Sequence, residues 1–157
     1  MLYSEEILGT LSDDKFKGCK VDYVDIDWYD AFKKLHKKIT QSGESIGLQL
    51  GNDILTRGLN QDDVVYFDND TAVAVNIPPC EALVITVDDP RMVAKVCYEI
   101  GNKHATLFRG DTDQEFITPL DLPIKALMEK LGVKVERKVV KFNFKKSISS
   151  SINAHTH

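Results

Sequence analysis

The stretch EALVITVDDPRMVAKVCYEIGNKH, residues 81–104, decides the fold. Glu81–Val87 is a short, almost continuous apolar run, as expected of a strand buried on both faces. Asp88 and Asp89 can cap a following helix, and Pro90 suits its first turn because no amide donor is needed there. Met92, Val93, Val96, Cys97 and Ile100 then recur at helical spacing and form one apolar stripe. Gly101 with Asn102 supplies the expected stop signal, and His104 follows directly.

The pattern continues towards the C-terminus. Ala105–Phe108 and Glu115–Thr118 flank the turn Arg109-Gly110-Asp111-Thr112-Asp113 and predict a hairpin. Asp121 caps a second helix with Pro123 early in it, Ile124, Leu127, Met128 and Leu131 form its stripe, and Gly132 ends it. Val133–Phe142 predicts a last strand. Strand, helix, strand, strand, helix, strand is the ferredoxin-like plan, with two helices on one face of an antiparallel sheet. From Lys145 the chain is serine-rich and ends in Ala154-His155-Thr156-His157, so residues 145–157 are expected to form a flexible tail.

Towards the N-terminus, Pro78-Pro79 can neither continue a helix nor donate to a sheet, and marks the boundary. Residues 1–77 read as short strands between turns: Val21–Trp28, Leu35–Thr40, Ser45–Leu50, Val64–Phe67 and Ala72–Ile77. Gln41-Ser42-Gly43-Glu44 predicts a hairpin turn. Trp28, Phe32, Leu35 and Ile39 also fit a helical stripe, but a strand is favoured for Leu35–Thr40. The fold class is therefore α+β: a small all-β N-terminal domain (1–77), a ferredoxin-like domain (78–144) and a flexible tail (145–157).

Composition narrows the function. With 157 residues, 43% hydrophobic and 28% charged, the chain has the profile of a soluble globular protein. A formal net charge of -4 disfavours nucleic acid as a partner. The longest apolar run, near Ala82–Val87, falls far short of the ~20 residues of a membrane span. Glu5 and Glu6 stand where an export signal would carry basic residues, so a cytoplasmic location is expected. Three widely spaced cysteines, Cys19, Cys80 and Cys97, do not suggest a disulfide framework. The chain lacks a Cys-x-x-Cys pair, an RNP-type aromatic and basic strand, a nucleophile elbow, a P-loop and an HExxH motif. Several familiar enzyme and carrier classes are thereby removed, and no catalysis is expected.

Four histidines remain: His36, His104, His155 and His157. His104, just past a helix end, is exposed enough to bind a metal and anchored enough to hold its place; alternatively it only answers the helix dipole. His155 and His157 form an HxH pair that can turn to one ion, or a solvated end that does nothing. His36 is most simply solvent-facing, and Cys97 a buried core thiol.

At Gly101-Asn102-Lys103-His104 the chain resembles the urease accessory protein UreE family of nickel metallochaperones. The neighbouring Ala82–Ile85, Thr118-Pro119-Leu120-Asp121 and Leu131-Gly132-Val133 share the resemblance, and Lys103 stands where arginine is usual. The resemblance implies a homodimer that carries Ni(II); the alternative is a Zn(II) or Cu(II) buffer outside the urease system, and these ions are the competitors. It implies His104 from both subunits as the shared ligand at the dimer interface, helped by His155 and His157. The implied partners are the urease accessory GTPase and the apo-urease complex.

Overall fold

The computed structural model describes residues 1–148, and the chain divides into two compact units, Met1–Pro78 and Pro79–His157. His155, His157 and the rest of the expected tail from residue 149 lie outside the described residues.

The first unit is built from strands β1 (Leu2–Ser4), β2 (Gly9–Thr10), β3 (Lys20–Asp25), β4 (Leu35–Ile39), β5 (Ser45–Gln49), β6 (Asp63–Asp68) and β7 (Thr71–Asn76). A one-turn helix, α1 (Ile54–Arg57), interrupts them. The strands make a three-stranded sheet, β1-β5-β4, and a four-stranded sheet, β2-β6-β7-β3. The β4–β5 hairpin turns where expected, with Thr40 N–H donating to the Glu44 carbonyl at 2.7 Å. The first expected strand ends earlier than its alternation suggests, because Trp28–Asp30 winds into a 3-10 turn. The helical stripe through Trp28 and Ile39 does not form: Phe32 is buried, but Leu35 and Ile39 are each 69% exposed.

His36 corrects the sequence reading. Expected to face solvent, it is only 8% exposed. The reason is register. Leu48 and Ile46 on β5 are buried, and pairing sets His36 opposite Leu48 and Lys38 opposite Ile46. Paired residues share a sheet face. His36 therefore goes inside, and Leu35 and Ile39 come out. Its Nε2 lies 2.8 Å from the Lys33 carbonyl oxygen, and burial pushes the imidazole pKa down.

The second unit contains β8 (Cys80–Thr86), α2 (Pro90–Asn102), β9 (Phe108–Arg109), β10 (Glu115–Pro119), α3 (Leu122–Lys130) and β11 (Lys134–Val140). Its sheet order is β11-β8-β10-β9 with every pairing antiparallel, the ferredoxin-like arrangement. Leu83, Ile85 and Phe116 on one sheet face pack against Val96 and Ile100 of α2 and Ile124 and Met128 of α3. Both caps form: Asp89 Oδ1 accepts from Arg91 N at 3.0 Å, and Asp121 Oδ1 from Ile124 N at 3.0 Å. β9 is shorter and later than the expected Ala105–Phe108 strand. The boundary at Lys145 is also corrected: residues 145–148 do not begin a free tail. Phe144–Lys146 form a 3-10 turn, and Ile148 N–H donates to the Leu107 carbonyl at 2.8 Å.

Candidate metal site

The last turn of α2 presents the candidate ligand. The helix runs through Gly101 and Asn102, which were expected to stop it. A Cβ built on Gly101 would meet nothing within 4 Å, so nothing at that position demands glycine. The stop comes two residues later. His104 N–H donates to the Gly101 carbonyl at 2.9 Å and Ala105 N–H to the Ile100 carbonyl at 3.3 Å. This pair of bonds is the Schellman closure, with the residue after the cap in the left-handed region. That residue is His104, at φ +59°.

The other helix supplies a comparison within the same chain. At the end of α3, Gly132 N–H donates to the Glu129 carbonyl at 3.0 Å and Val133 N–H to the Met128 carbonyl at 3.2 Å. The motif is the same, and its left-handed residue is Gly132, at φ +79°. Glycine suffers no Cβ clash in that conformation, whereas an L side chain costs about 1–2 kcal/mol there. Histidine is among the residues that tolerate it better than most. At the end of α2 the chain therefore accepts backbone strain and gains an exposed imidazole on a fixed turn. Ala105 and Ile100 pack with the core below it, so the turn is tied down from beneath.

The other candidates fall elsewhere. Cys97 is half-buried against the core of the second unit, and burial raises its thiol pKa, which disfavours the thiolate a soft metal needs. His36 belongs to the first unit and its Nε2 is engaged with the Lys33 carbonyl. Among the described residues, no group of three or more His, Cys, Asp or Glu side chains is placed to hold a metal ion. Among the described residues His104 is thus the one exposed histidine, and a single ligand makes no site. The left-handed turn had no clear sequence signal, because Gly101 and Asn102 offered the more conventional stop.

Comparison with known proteins settles the family. The model of the UreE urease accessory protein N-terminal domain matches residues 5–78, and that of its C-terminal domain matches residues 81–157. The chain belongs to the UreE family. A urease accessory protein UreE of Helicobacter acinonychis (strain Sheeba) is 41% identical over 129 residues, covering 82% of this chain and 75% of that protein. One from Helicobacter pylori (strain Shi470) is 40% identical over the same length and shares. One from Helicobacter bizzozeronii is 33% identical over 150 residues, 96% of this chain and 84% of its own. Both domains of the family are matched, and together the two matches span nearly the whole chain. No helix among the described residues is long and apolar enough to cross a membrane.

Proposed function

We propose that this member of the UreE family is a cytoplasmic nickel metallochaperone that delivers Ni(II) for assembly of the urease active site and performs no catalysis itself. The observation that carries the reading is His104, held in a left-handed turn where the equivalent turn of α3 has Gly132. Ni(II) accepts imidazole nitrogen readily. A two-fold axis through the site would bring His104 from each protomer of a homodimer to one ion, since an isologous interface doubles whatever residue lies on it. His155 and His157 would complete the shell and then withdraw, giving the lability that a carrier needs and a closed structural site lacks. The relatives' name, urease accessory protein, supports apo-urease as the recipient; delivery would run through the accessory GTPase of the same system.

The test is titration of the purified protein with nickel, followed by native mass spectrometry. One tightly bound ion per dimer is expected. One tight ion per monomer with no dimer in solution, or no tight nickel at all, overturns the reading. Tighter zinc or copper binding that nickel cannot displace would make the protein a buffer for those metals. Only neutral imidazole, not imidazolium, binds metal, so nickel should leave with proton uptake on acidification.

A further inference from the structure

The three-stranded sheet of the first unit is open along one side. β4 pairs with β5 and forms the edge of the order β1-β5-β4. Thr40 N–H donates to the Glu44 carbonyl and Leu50 N–H to the Lys34 carbonyl, so His36 and Lys38 between them direct their backbone groups to β5. Leu35, Lys37 and Ile39 direct theirs outward, where no bond to them forms among the described residues. The open stretch ends just past Ile39, where Gln41 N–H donates to the Tyr23 carbonyl at 2.8 Å. The side chains of the same three residues lie on the outer face of the sheet, beside Ser45, Gly47 and Gln49. Leu35 and Ile39 are largely exposed there. Tyr3 of β1 stands in one row with Gly47 and Lys37. Gly47 keeps the middle of that face flat: a Cβ there would lie 3.5 Å from Met1 Cε and 3.6 Å from Tyr3 Cδ2. Exposed apolar surface and unbonded backbone groups thus meet on one edge, a combination that proteins usually cover or disarm.

Charge says what fits this edge. The first unit has more acidic than basic residues, yet Lys33, Lys34, Lys37 and Lys38 cluster on and just before β4. Lys33 pairs with Asp30 at 2.6 Å, and Lys34 donates to Asn52 Oδ1 at 2.8 Å. Lys37 and Lys38 have no carboxylate partner among the described residues. A second copy of the chain fits poorly. The antiparallel register that uses all three outward residues sets Lys37 opposite its own counterpart, and like charges directly opposite each other destabilise a strand pair. We propose that β4 is a docking edge for an extended, acidic segment of another protein, which adds to the sheet as a fourth strand. Main-chain bonds to Leu35, Lys37 and Ile39 hold the segment, an aspartate or glutamate lies opposite Lys37, and apolar side chains two positions to either side lie against Leu35 and Ile39. Side chains on a strand alternate with a period of two, so the segment reads apolar-x-acidic-x-apolar in either direction. The proposal goes beyond the nickel reading and does not depend on it, since His104 belongs to the other unit.

The experiment uses the metal-free full chain and two synthetic peptides: Thr-Val-Thr-Glu-Thr-Val-Thr, and the same peptide with lysine at its centre. Amide hydrogen exchange is followed by NMR along β4 while each peptide is titrated in. In the free protein the amides of Leu35, Lys37 and Ile39 should exchange fast and those of His36 and Lys38 slowly. The glutamate peptide should protect the three outward amides and bind about threefold or more tighter than the lysine peptide. Lys37→Glu should reverse that preference. Lys37→Pro removes an outward N–H but no bond to β5, and should abolish the protection of Leu35 and Ile39 by either peptide. Slow exchange at His36 and Lys38 shows that the hairpin is intact in each variant; if the proline disturbs it, the charge reversal still decides. No protection by the glutamate peptide at millimolar concentration overturns the proposal. So does equal binding of the two peptides, which would leave Lys37 as a guard against pairing only. Protection that grows with protein concentration in the absence of peptide assigns the edge to a second copy and overturns it as well.

Discussion

Replacing His104 by glycine should make the metal-free protein more stable while removing its tight nickel site. The left-handed backbone at φ +59° costs an L residue about 1–2 kcal/mol. Glycine escapes that cost but loses about 0.5–1 kcal/mol through its freer unfolded chain. His104→Gly should therefore gain up to about 1 kcal/mol, whereas His104→Ala keeps the Cβ and gains nothing. The same chain offers the reverse experiment at the end of α3, where Gly132→Ala should lose a similar ~1 kcal/mol because its surroundings are otherwise open. For a unit of this size that amounts to about 4–8 °C in Tm if it unfolds alone, and about half as much if the whole chain unfolds together. Thermal unfolding of the metal-free variants, alongside nickel titration of each, measures both effects. Should His104→Gly melt at or below the unaltered protein, then contacts of the imidazole ring hold the turn, and the idea that the fold tolerates strain for the sake of a ligand is wrong.

Further outcomes concern the first unit. Burial holds the His36 pKa below 6.5, so the unfolded chain takes up a proton before the folded one does. Stability of the metal-free protein should thus be full above about pH 6.5 and fall as the pH drops below it; His36→Gln should flatten that part of a denaturant midpoint against pH profile, and an unchanged slope would assign it to other groups. Asp63 is buried, accepts from Arg57 Nη1 at 2.7 Å and Nη2 at 2.9 Å, and caps Asn60 N at 2.7 Å; Asp63→Ala should cost about 2–3 kcal/mol in urea unfolding, and under 1 kcal/mol would show the bonds to be dispensable. Gly58→Ala should cost about 1–3 kcal/mol, since φ is +71° and a Cβ would lie 2.6 Å from Phe32 Cε1; a neutral result would mean that ring moves aside freely.

The second unit was legible because its signals agree with one another. Apolar stripes at helical spacing, aspartate caps at Asp89 and Asp121, and Gly132 after α3 all point to one arrangement, and the sheet order follows from it. At the end of α2 the local signals conflict. Gly101-Asn102 looks like the stop, yet the core contacts of Ile100 and Ala105 place the left-handed residue at His104. In β4 the usual rule inverts, because the buried face is chosen by pairing with Ile46 and Leu48 and not by the apolar residues of β4 itself. The segment after β11 gives little sequence signal for a different reason: Phe144 is an isolated apolar residue in a polar, serine-rich run, and the ring it lies against, Phe108, is more than thirty residues earlier in sequence. His104 is legible as a histidine past a helix end, but what distinguishes it from other surface histidines is its backbone angle, which composition does not carry.

The parallel pairing of β3 with β7 has a bearing on biosynthesis. Lys20 pairs with Thr71 and Asp25 with Asn76, so the strand that completes β3 is made some fifty residues after it. Chains emerge at about 5–20 residues per second, which leaves β3 without its partner for several seconds on the ribosome. Its free edge and the apolar residues Val24 and Ile26 are open to other nascent chains during that interval. The β4–β5 hairpin, in contrast, can form as soon as residue 49 clears the exit tunnel. Folding of the first unit should therefore be governed by the late arrival of β7, and ribosome pausing beyond that point, with the first unit already exposed, would favour its correct assembly.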